Sequence, residues 1–239
     1  FIWSFSHKEE KEGGEGVEKE TMKEGLEGDL NRLREYVRRI AGDILSGEGP
    51  GREGIVKSAI THLVSGKNIV FYGAPGTGKT RLARKICEFL CGEGSFIIET
   101  ANSEWTHFDV VGGYQLGEAG RSIWVDGFLT KAVKKCSEKL KRDGKPYWLI
   151  IDELNRANLD LAFGEVFTLL DVEYRQLQPL GVKRGKEVDG IWVPYSFRIL
   201  ATMNTYDRAL LFSLGYAFMR RFAFVHIPSI IRSAEVETS

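Results

Sequence analysis

Residues 73–80 read GAPGTGKT, a glycine-rich segment that ends on an ammonium and a hydroxyl. Glycines let successive backbone N–H groups turn inward around a polyphosphate, and the N-terminus of a following helix adds positive potential. Lys79 would reach the outer phosphates, and the Thr80 hydroxyl would contact Mg²⁺. The nucleotide-binding residues predicted here are Gly73, Ala74, Pro75, Gly76, Thr77, Gly78, Lys79, Thr80 and Arg81.

A pair of carboxylates could bind a metal ion and activate water beside this phosphate site. The apolar run WLII at residues 148–151 leads directly into Asp152 and Glu153. If the run is a strand of a parallel sheet, both side chains lie at its carboxyl end, where such sheets bind ligands. We predict that Asp152 holds Mg²⁺, mostly through water, and that Glu153 is the base that polarises the attacking water. The alternative is a solvated acidic turn.

A second apolar run, residues 197–203, ends on Asn204. We predict that the Asn204 amide faces the γ-phosphate or the attacking water from the neighbouring strand end. Arg220 and Arg221 would supply positive charge for the transition state. Under the alternative interpretation, Asn204 and Asp207 merely cap the next helix.

Apolar periodicity predicts the elements that must position these groups. Short apolar runs alternate with segments of helical period, which indicates an α/β fold with a parallel sheet covered by helices on both faces. Strands are predicted at residues 68–72, 96–100, 148–152, 197–203 and 222–227, helices at 30–44, 55–64, 82–90, 128–140 and 159–169, and a hairpin at 173–195.

Composition excludes several classes. Lys plus Arg equals Asp plus Glu at 33 each, so no net charge draws the chain to nucleic acid. Three cysteines do not form a disulfide framework, and no apolar run approaches the ~20 residues that a membrane span needs. We therefore expect a cytoplasmic protein without a membrane partner. Residues 1–28 are predicted to be a domain remnant plus a charged linker, and residues 29–239 a nucleotide-binding domain.

Taken together, IIDELNRAN (150–158), TMNTYDR (202–208) and MRRF (219–222) resemble the AAA+ superfamily of P-loop NTPases and, within it, the McrB family. The resemblance covers about residues 55–227 and adds Asp207 and Arg208 to the predicted catalytic set of Glu153, Asn204, Arg220 and Arg221. It implies an AAA+ core with a helical lid. Because only 12 residues follow Ile227, we expect that lid to be missing or truncated.

The same resemblance implies a GTP-hydrolysing motor with Mg²⁺, hexameric rings, and an McrC-type nuclease subunit with which it drives DNA translocation and cleavage. Modified DNA would be read by a separate N-terminal domain. In such rings one arginine serves the neighbouring subunit, and we assign Arg221 to that role and Arg220 to its own subunit or the interface. The N-x-x-D spacing at 204–207 is not assigned to guanine reading.

Two other functions remain open. One is an ATP-driven remodelling chaperone of the MoxR type that acts on protein; the other is a scaffold that binds nucleotide without turnover, which Glu153 argues against. The aromatic, glycine-rich residues 104–127 are either a pore-facing insert that contacts the nuclease partner or DNA, or a loop that packs Phe108 and Trp124 on the sheet, which we favour.

Overall fold

The computed structural model describes residues 51–117, 120–171, 174–175, 179–180, 183–184, 187–188, 191–204 and 216–229. The predicted linker at residues 1–28 and the predicted helix at 30–44 lie outside these ranges, as do the last ten residues, where any start of a lid would fall.

A five-stranded parallel sheet forms the centre of the described part of the chain. The strands are β1 (Asn68–Gly73), β2 (Phe96–Thr100), β3 (Gly112–Leu116), β4 (Ser122–Asp126), β5 (Trp148–Asp152), β6 (Lys183–Arg184), β7 (Glu187–Val188), β8 (Ile199–Asn204) and β9 (Phe222–His226). The strand order of the sheet is β2-β5-β8-β1-β9, so strands that are neighbours in the sheet are far apart in the sequence, and the segments that connect them contain helices. Two small antiparallel pairs, β3 with β4 and β6 with β7, lie outside the sheet.

Helices cover both faces of the sheet, as predicted. Successive strand residues point to opposite faces, so Leu149 and Ile151 of β5 belong to one apolar cluster while Trp148 and Ile150 belong to the other. The helices are α1 (Gly51–Val64), α2 (Lys79–Cys91), α3 (His107–Val110), α4 (Phe128–Asp143), α5 (Leu159–Phe163) and α6 (Tyr216–Met219). Side chains of α1 and α2 pack on the second cluster, and those of α4 and α5 on the first.

The helix predicted at residues 159–169 is interrupted. α5 ends at Phe163, and the segment Gly164–Leu170 continues as a 3₁₀ helix. Gly164 has φ 45° and ψ −122°, a conformation that breaks the α-helical hydrogen-bond ladder and that side-chain-bearing residues rarely adopt. The apolar spacing was right about burial but not about helix type, because both helix types bring residues three apart to one face.

Buried Arg175 holds the segments after the 3₁₀ helix together. Its guanidinium donates to the carbonyls of Leu169 at 2.9 Å, Phe197 at 2.8 Å and Pro194 at 3.0 Å. Burial, together with the nearby Arg198 guanidinium, lowers the pKa of Arg175 to about 9. The role of Arg175 was not predicted, since the sequence pattern gives no sign of a buried cation.

The aromatic stretch at residues 104–127 folds as α3 followed by the β3–β4 hairpin. Trp105 is buried against Phe128, with ring centroids 4.6 Å apart, whereas Trp124 contacts Tyr114 within the hairpin itself. Trp105, which was not predicted, therefore packs in the core, whereas the contacts found for Phe108 and Trp124 lie within this stretch, with Gly113 and Tyr114. Within the described ranges, no helix is long and apolar enough to cross a bilayer.

Candidate nucleotide-hydrolysis site

The glycine-rich segment joins β1 to α2 as a tight turn. Gly76 and Gly78 have φ of 76° and 85°, values in the left-handed region that favours glycine. Lys79, only 6% exposed, is the first residue of α2, and its ammonium turns back into the loop. It donates to the Ala74 carbonyl at 2.7 Å and the Gly73 carbonyl at 3.0 Å.

Burial sets the electrostatics of this ammonium. Burial lowers the pKa of Lys79 from 10.5, while the carboxylates of Asp152 and Glu153 oppose the shift. A desolvated cation at the start of a helix is suited to an anion, because a bound phosphate would supply the opposite charge that stabilises the ammonium in place of water.

The first glycine of the segment is required by a neighbouring strand. A Cβ at Gly73 would lie 2.2 Å from the Ile227 carbonyl oxygen, and the Ile227 amide donates to the Tyr72 carbonyl at 2.7 Å. The residue just after β9 therefore lies directly beside the start of the loop and leaves no room for a side chain at position 73.

Strand pairing brings the predicted polar residues to one edge of the sheet. β1 and β8 are in register so that Gly73 lies opposite Asn204, and β5 pairs with β8 on its other side. All strands of the sheet are parallel, so their carboxyl ends meet at that edge. The residues brought together there are Lys79, Thr80, Asp152, Glu153 and Asn204.

The Asp152 carboxylate is the centre of a hydroxyl cluster. Its Oδ1 accepts a hydrogen bond from the Thr80 hydroxyl at 2.7 Å and another, shorter one from the Thr202 hydroxyl. No group of three or more His, Cys, Asp or Glu side chains within the described ranges forms a metal cage. Mg²⁺ is usually held by one or two protein ligands together with phosphates and water, so Thr80 and Asp152 fit that ion.

Glu153 adopts an unusual backbone conformation. With φ 54° and ψ 43° it is the one non-glycine residue of the described chain in the left-handed region. Its amide donates to the Thr202 hydroxyl at 3.1 Å. Its carboxylate accepts from Arg156 Nε at 2.8 Å and from Asn204 Nδ2 at 3.4 Å. Such backbone strain persists only where surrounding contacts hold it, and it concentrates at functional sites.

Two residues at this edge of the sheet, Thr202 and Arg156, were not predicted from the sequence. Thr202 contacts both acidic residues, and Arg156 pairs with one of them. Strand alternation offered a signal for Thr202, because residues two apart share a face and Thr202 is two before Asn204. Arg156 follows Glu153 by three residues, the separation at which helical side chains meet.

The two adjacent arginines, Arg220 and Arg221, differ in their burial. The Arg220 side chain is exposed, whereas Arg221 is 5% exposed. Burial is the main cause that lowers the pKa of Arg221, followed by the charge of Arg220, while Asp171 opposes the shift. Asp207 and Arg208 lie outside the described residues.

The comparisons with known proteins agree with this geometry. The family model for the AAA domain (dynein-related subfamily) matches residues 68–222, the segment from β1 to the start of β9. A crystal structure of a candidate ATPase from Cytophaga hutchinsonii covers 93% of this chain and 58% of its own, with a TM-score of 0.56 and 20% identity. At that identity the likeness shows the fold alone.

Two relatives belong to restriction systems. The chain is 33% identical over 181 residues to the type IV methyl-directed restriction enzyme EcoKMcrB subunit of Escherichia coli K12, an alignment that covers 73% of this chain and 38% of the relative. It is 27% identical to the type II restriction enzyme BsuMI component YdiS of Bacillus subtilis 168, over 67% of this chain and 57% of that protein. The chain thus spans about two fifths of the length of the Escherichia coli relative and just under three fifths of the length of the Bacillus subtilis relative.

The resemblance to McrB predicted from the sequence is confirmed as sequence similarity, and the predicted α/β core is confirmed by the parallel sheet and the matching family model. The chain belongs to the AAA domain family, dynein-related subfamily, and carries a P-loop NTPase site.

Proposed function

We propose that the chain is a Mg²⁺-dependent GTPase that works as the motor of a restriction system. The observation that carries the proposal is the Asp152 carboxylate, which lies at hydrogen-bond distance from Thr80 at the end of the phosphate loop and directly precedes Glu153. This arrangement supports the proposal, because hydrolysis of a nucleoside triphosphate requires a hydroxyl and a carboxylate that can bind Mg²⁺ close to a group that can act as a base.

Each of these groups has a distinct task. Lys79 and the loop amides bind the phosphates. Thr80 and Asp152, with Asp152 mostly acting through water, would hold Mg²⁺, which would supply positive charge beside the phosphate oxygens. Glu153 accepts a proton from the water that attacks the γ-phosphorus, while the bond to the diphosphate breaks. Asn204, which reaches Glu153 at 3.4 Å, orients that carboxylate or the water beside it.

The exposure of the two arginines changes one assignment made from the sequence. A side chain that serves a neighbouring subunit must leave its own surface, and Arg221 is 5% exposed while Arg220 is exposed. We therefore assign the trans role to Arg220 and a role within its own subunit to Arg221. Asp207 and Arg208 keep the catalytic roles that the family resemblance implies.

The wider assembly follows from the restriction-system relatives and the family resemblance. We propose a cytoplasmic hexameric ring that drives DNA translocation and cleavage with an McrC-type nuclease, with residues 29–239 as the NTPase domain. Residues 1–28 would connect it to a separate domain that reads modified DNA. The similarity to a methyl-directed restriction subunit supports this proposal.

A comparison of GTP and ATP hydrolysis tests the function. We expect GTP turnover that depends on Mg²⁺ and rises when an McrC-type subunit is added. ATP turnover without any response to that subunit would favour a remodelling ATPase of the MoxR type. Tight nucleotide binding with no turnover under either condition would favour a scaffold.

A further inference from the structure

Thr202 connects the two acidic residues through a single hydroxyl. The hydroxyl donates to Asp152 Oδ1 and accepts the Glu153 amide at 3.1 Å. A hydroxyl has one donor hydrogen and two acceptor lone pairs, so one group can satisfy an acceptor-only carboxylate and a donor-only amide together. No other uncharged side chain of the same size and shape does both, because valine lacks the oxygen and cysteine is a weak partner.

The fold places this hydroxyl inside the sheet and not at its margin. β8 lies between β5 and β1, and Thr202 is opposite Phe71 of β1. It shares the strand face of Leu200, whose side chain packs in the cluster that includes α2. With 2% exposure, Thr202 is shielded from the water that would otherwise replace a lost hydrogen bond.

We propose that Thr202 is a positioning residue for hydrolysis, an inference that rests on the proposed function of Asp152 and Glu153. Its donated hydrogen bond orients the carboxylate on the metal side. Its accepted hydrogen bond holds the left-handed turn that aims the Glu153 carboxylate. The Thr202 side chain thereby fixes the position of Asp152, the proposed metal ligand, relative to Glu153, the proposed general base. It does this without contacting the nucleotide.

Loss of the hydroxyl should slow chemistry more than it weakens binding. Thr80 also donates to Asp152 Oδ1, so the carboxylate keeps one partner. Among the residues that the structure describes, Thr202 is the one acceptor found for the Glu153 amide. We expect kcat of Thr202→Val to fall about tenfold to hundredfold, which corresponds to about 1.4–2.7 kcal/mol of lost transition-state stabilisation. KM for the triphosphate should stay within about threefold, because Lys79 and the loop amides still bind it.

The test compares Thr202→Val, Thr202→Ala and Thr202→Ser with a matched control, Thr130→Val. Thr130 is also buried, at 1% exposure, and its hydroxyl donates to the Val111 carbonyl at 2.6 Å; neither residue belongs to the predicted site. Steady-state kinetics with GTP and Mg²⁺ should give the loss in kcat for Val and Ala, recovery to within about threefold for Ser, and no loss for the control. If valine does not fold in place of Thr202, the alanine variant, which adds no bulk, carries the comparison.

A second readout needs neither nucleotide nor turnover. Amide hydrogen exchange at Glu153, followed by NMR in the nucleotide-free protein, should become about tenfold faster or more in Thr202→Ala and remain unchanged in Thr130→Val. Binding of a fluorescent GTP analogue should be unchanged without Mg²⁺ and at most about threefold weaker than wild type with it.

Two results would overturn the inference: Thr202→Ala hydrolysing GTP within about threefold of wild type, or Thr202→Ser as impaired as Thr202→Ala. An inactive wild-type protein would instead count against the proposed function, and Glu153 exchange would then decide the structural role of Thr202 alone.

Discussion

Replacement of Glu153 by glutamine separates catalysis from stability at this site. Glutamine keeps the length of the side chain and one oxygen that can accept from Arg156 or Asn204. It cannot accept a proton from the attacking water at neutral pH. The backbone contact of residue 153 with the Thr202 hydroxyl does not involve the side chain, so the left-handed turn should persist.

The expected loss of stability is clearly smaller than the expected loss of catalytic rate. The Glu153–Arg156 ion pair spans 2.8 Å, but the Arg156 side chain is 61% exposed, so loss of the charge should change the free energy of unfolding by about 0.2–1 kcal/mol. Loss of a general base lowers the rate about 10²–10⁴-fold, which equals about 2.7–5.4 kcal/mol at 1.36 kcal/mol per decade. The catalytic effect therefore exceeds the effect on stability.

Glu88→Gln is a matched control for this substitution. Glu88 pairs with Lys85 at 2.7 Å across three residues, and the two carboxylate side chains have similar exposure, 26% for Glu88 and 27% for Glu153. Urea unfolding, affinity for the triphosphate and turnover would be measured for both variants. We expect both to fold and bind nucleotide, and only Glu153→Gln to lose turnover.

Glu153 is not the base if Glu153→Gln hydrolyses nucleotide within about threefold of wild type, since an amide does not replace a general base with so small a loss of rate. The same conclusion follows if Glu88→Gln loses as much activity, because the loss would then result from a broken surface ion pair.

Further substitutions test the other groups. Lys79→Ala should weaken triphosphate binding by about tenfold or more, about 1.4 kcal/mol, because this ammonium neutralises charge already present in the ground state; unchanged affinity in a binding titration would contradict its role. Asn204→Ala should bind nucleotide normally and hydrolyse it slowly, whereas a lost preference for guanine with intact hydrolysis would show that Asn204 reads the base. A mixture of the inactive variants Lys79→Ala and Arg220→Ala should recover part of the activity if Arg220 acts in trans; mixed rings that stay inactive would place it in its own subunit. Arg175→Met should lower the free energy of unfolding by about 3 kcal/mol in urea titrations, because buried carbonyls lose their donors, and a change below about 0.5 kcal/mol would mean that other donors replace it.

The sequence alone was sufficient for features that depend on local patterns. A glycine-rich segment between an apolar run and an amphipathic helix predicts a phosphate loop, and an apolar run that ends on Asp152 and Glu153 predicts acidic residues at a strand end. The five strands of the parallel sheet were found in the same way, because hydrophobic periodicity is set by residues close in the chain.

Contacts between distant segments needed the tertiary structure. Thr202 and Asp152 are 50 residues apart, and they meet only because β8 lies beside β5 in the strand order. The different burial of adjacent Arg220 and Arg221, and the carbonyls gathered around Arg175, likewise depend on which segments pack beside them. A sequence pattern specifies which face of an element is buried, whereas its neighbour on that face is decided by the packing of the whole sheet.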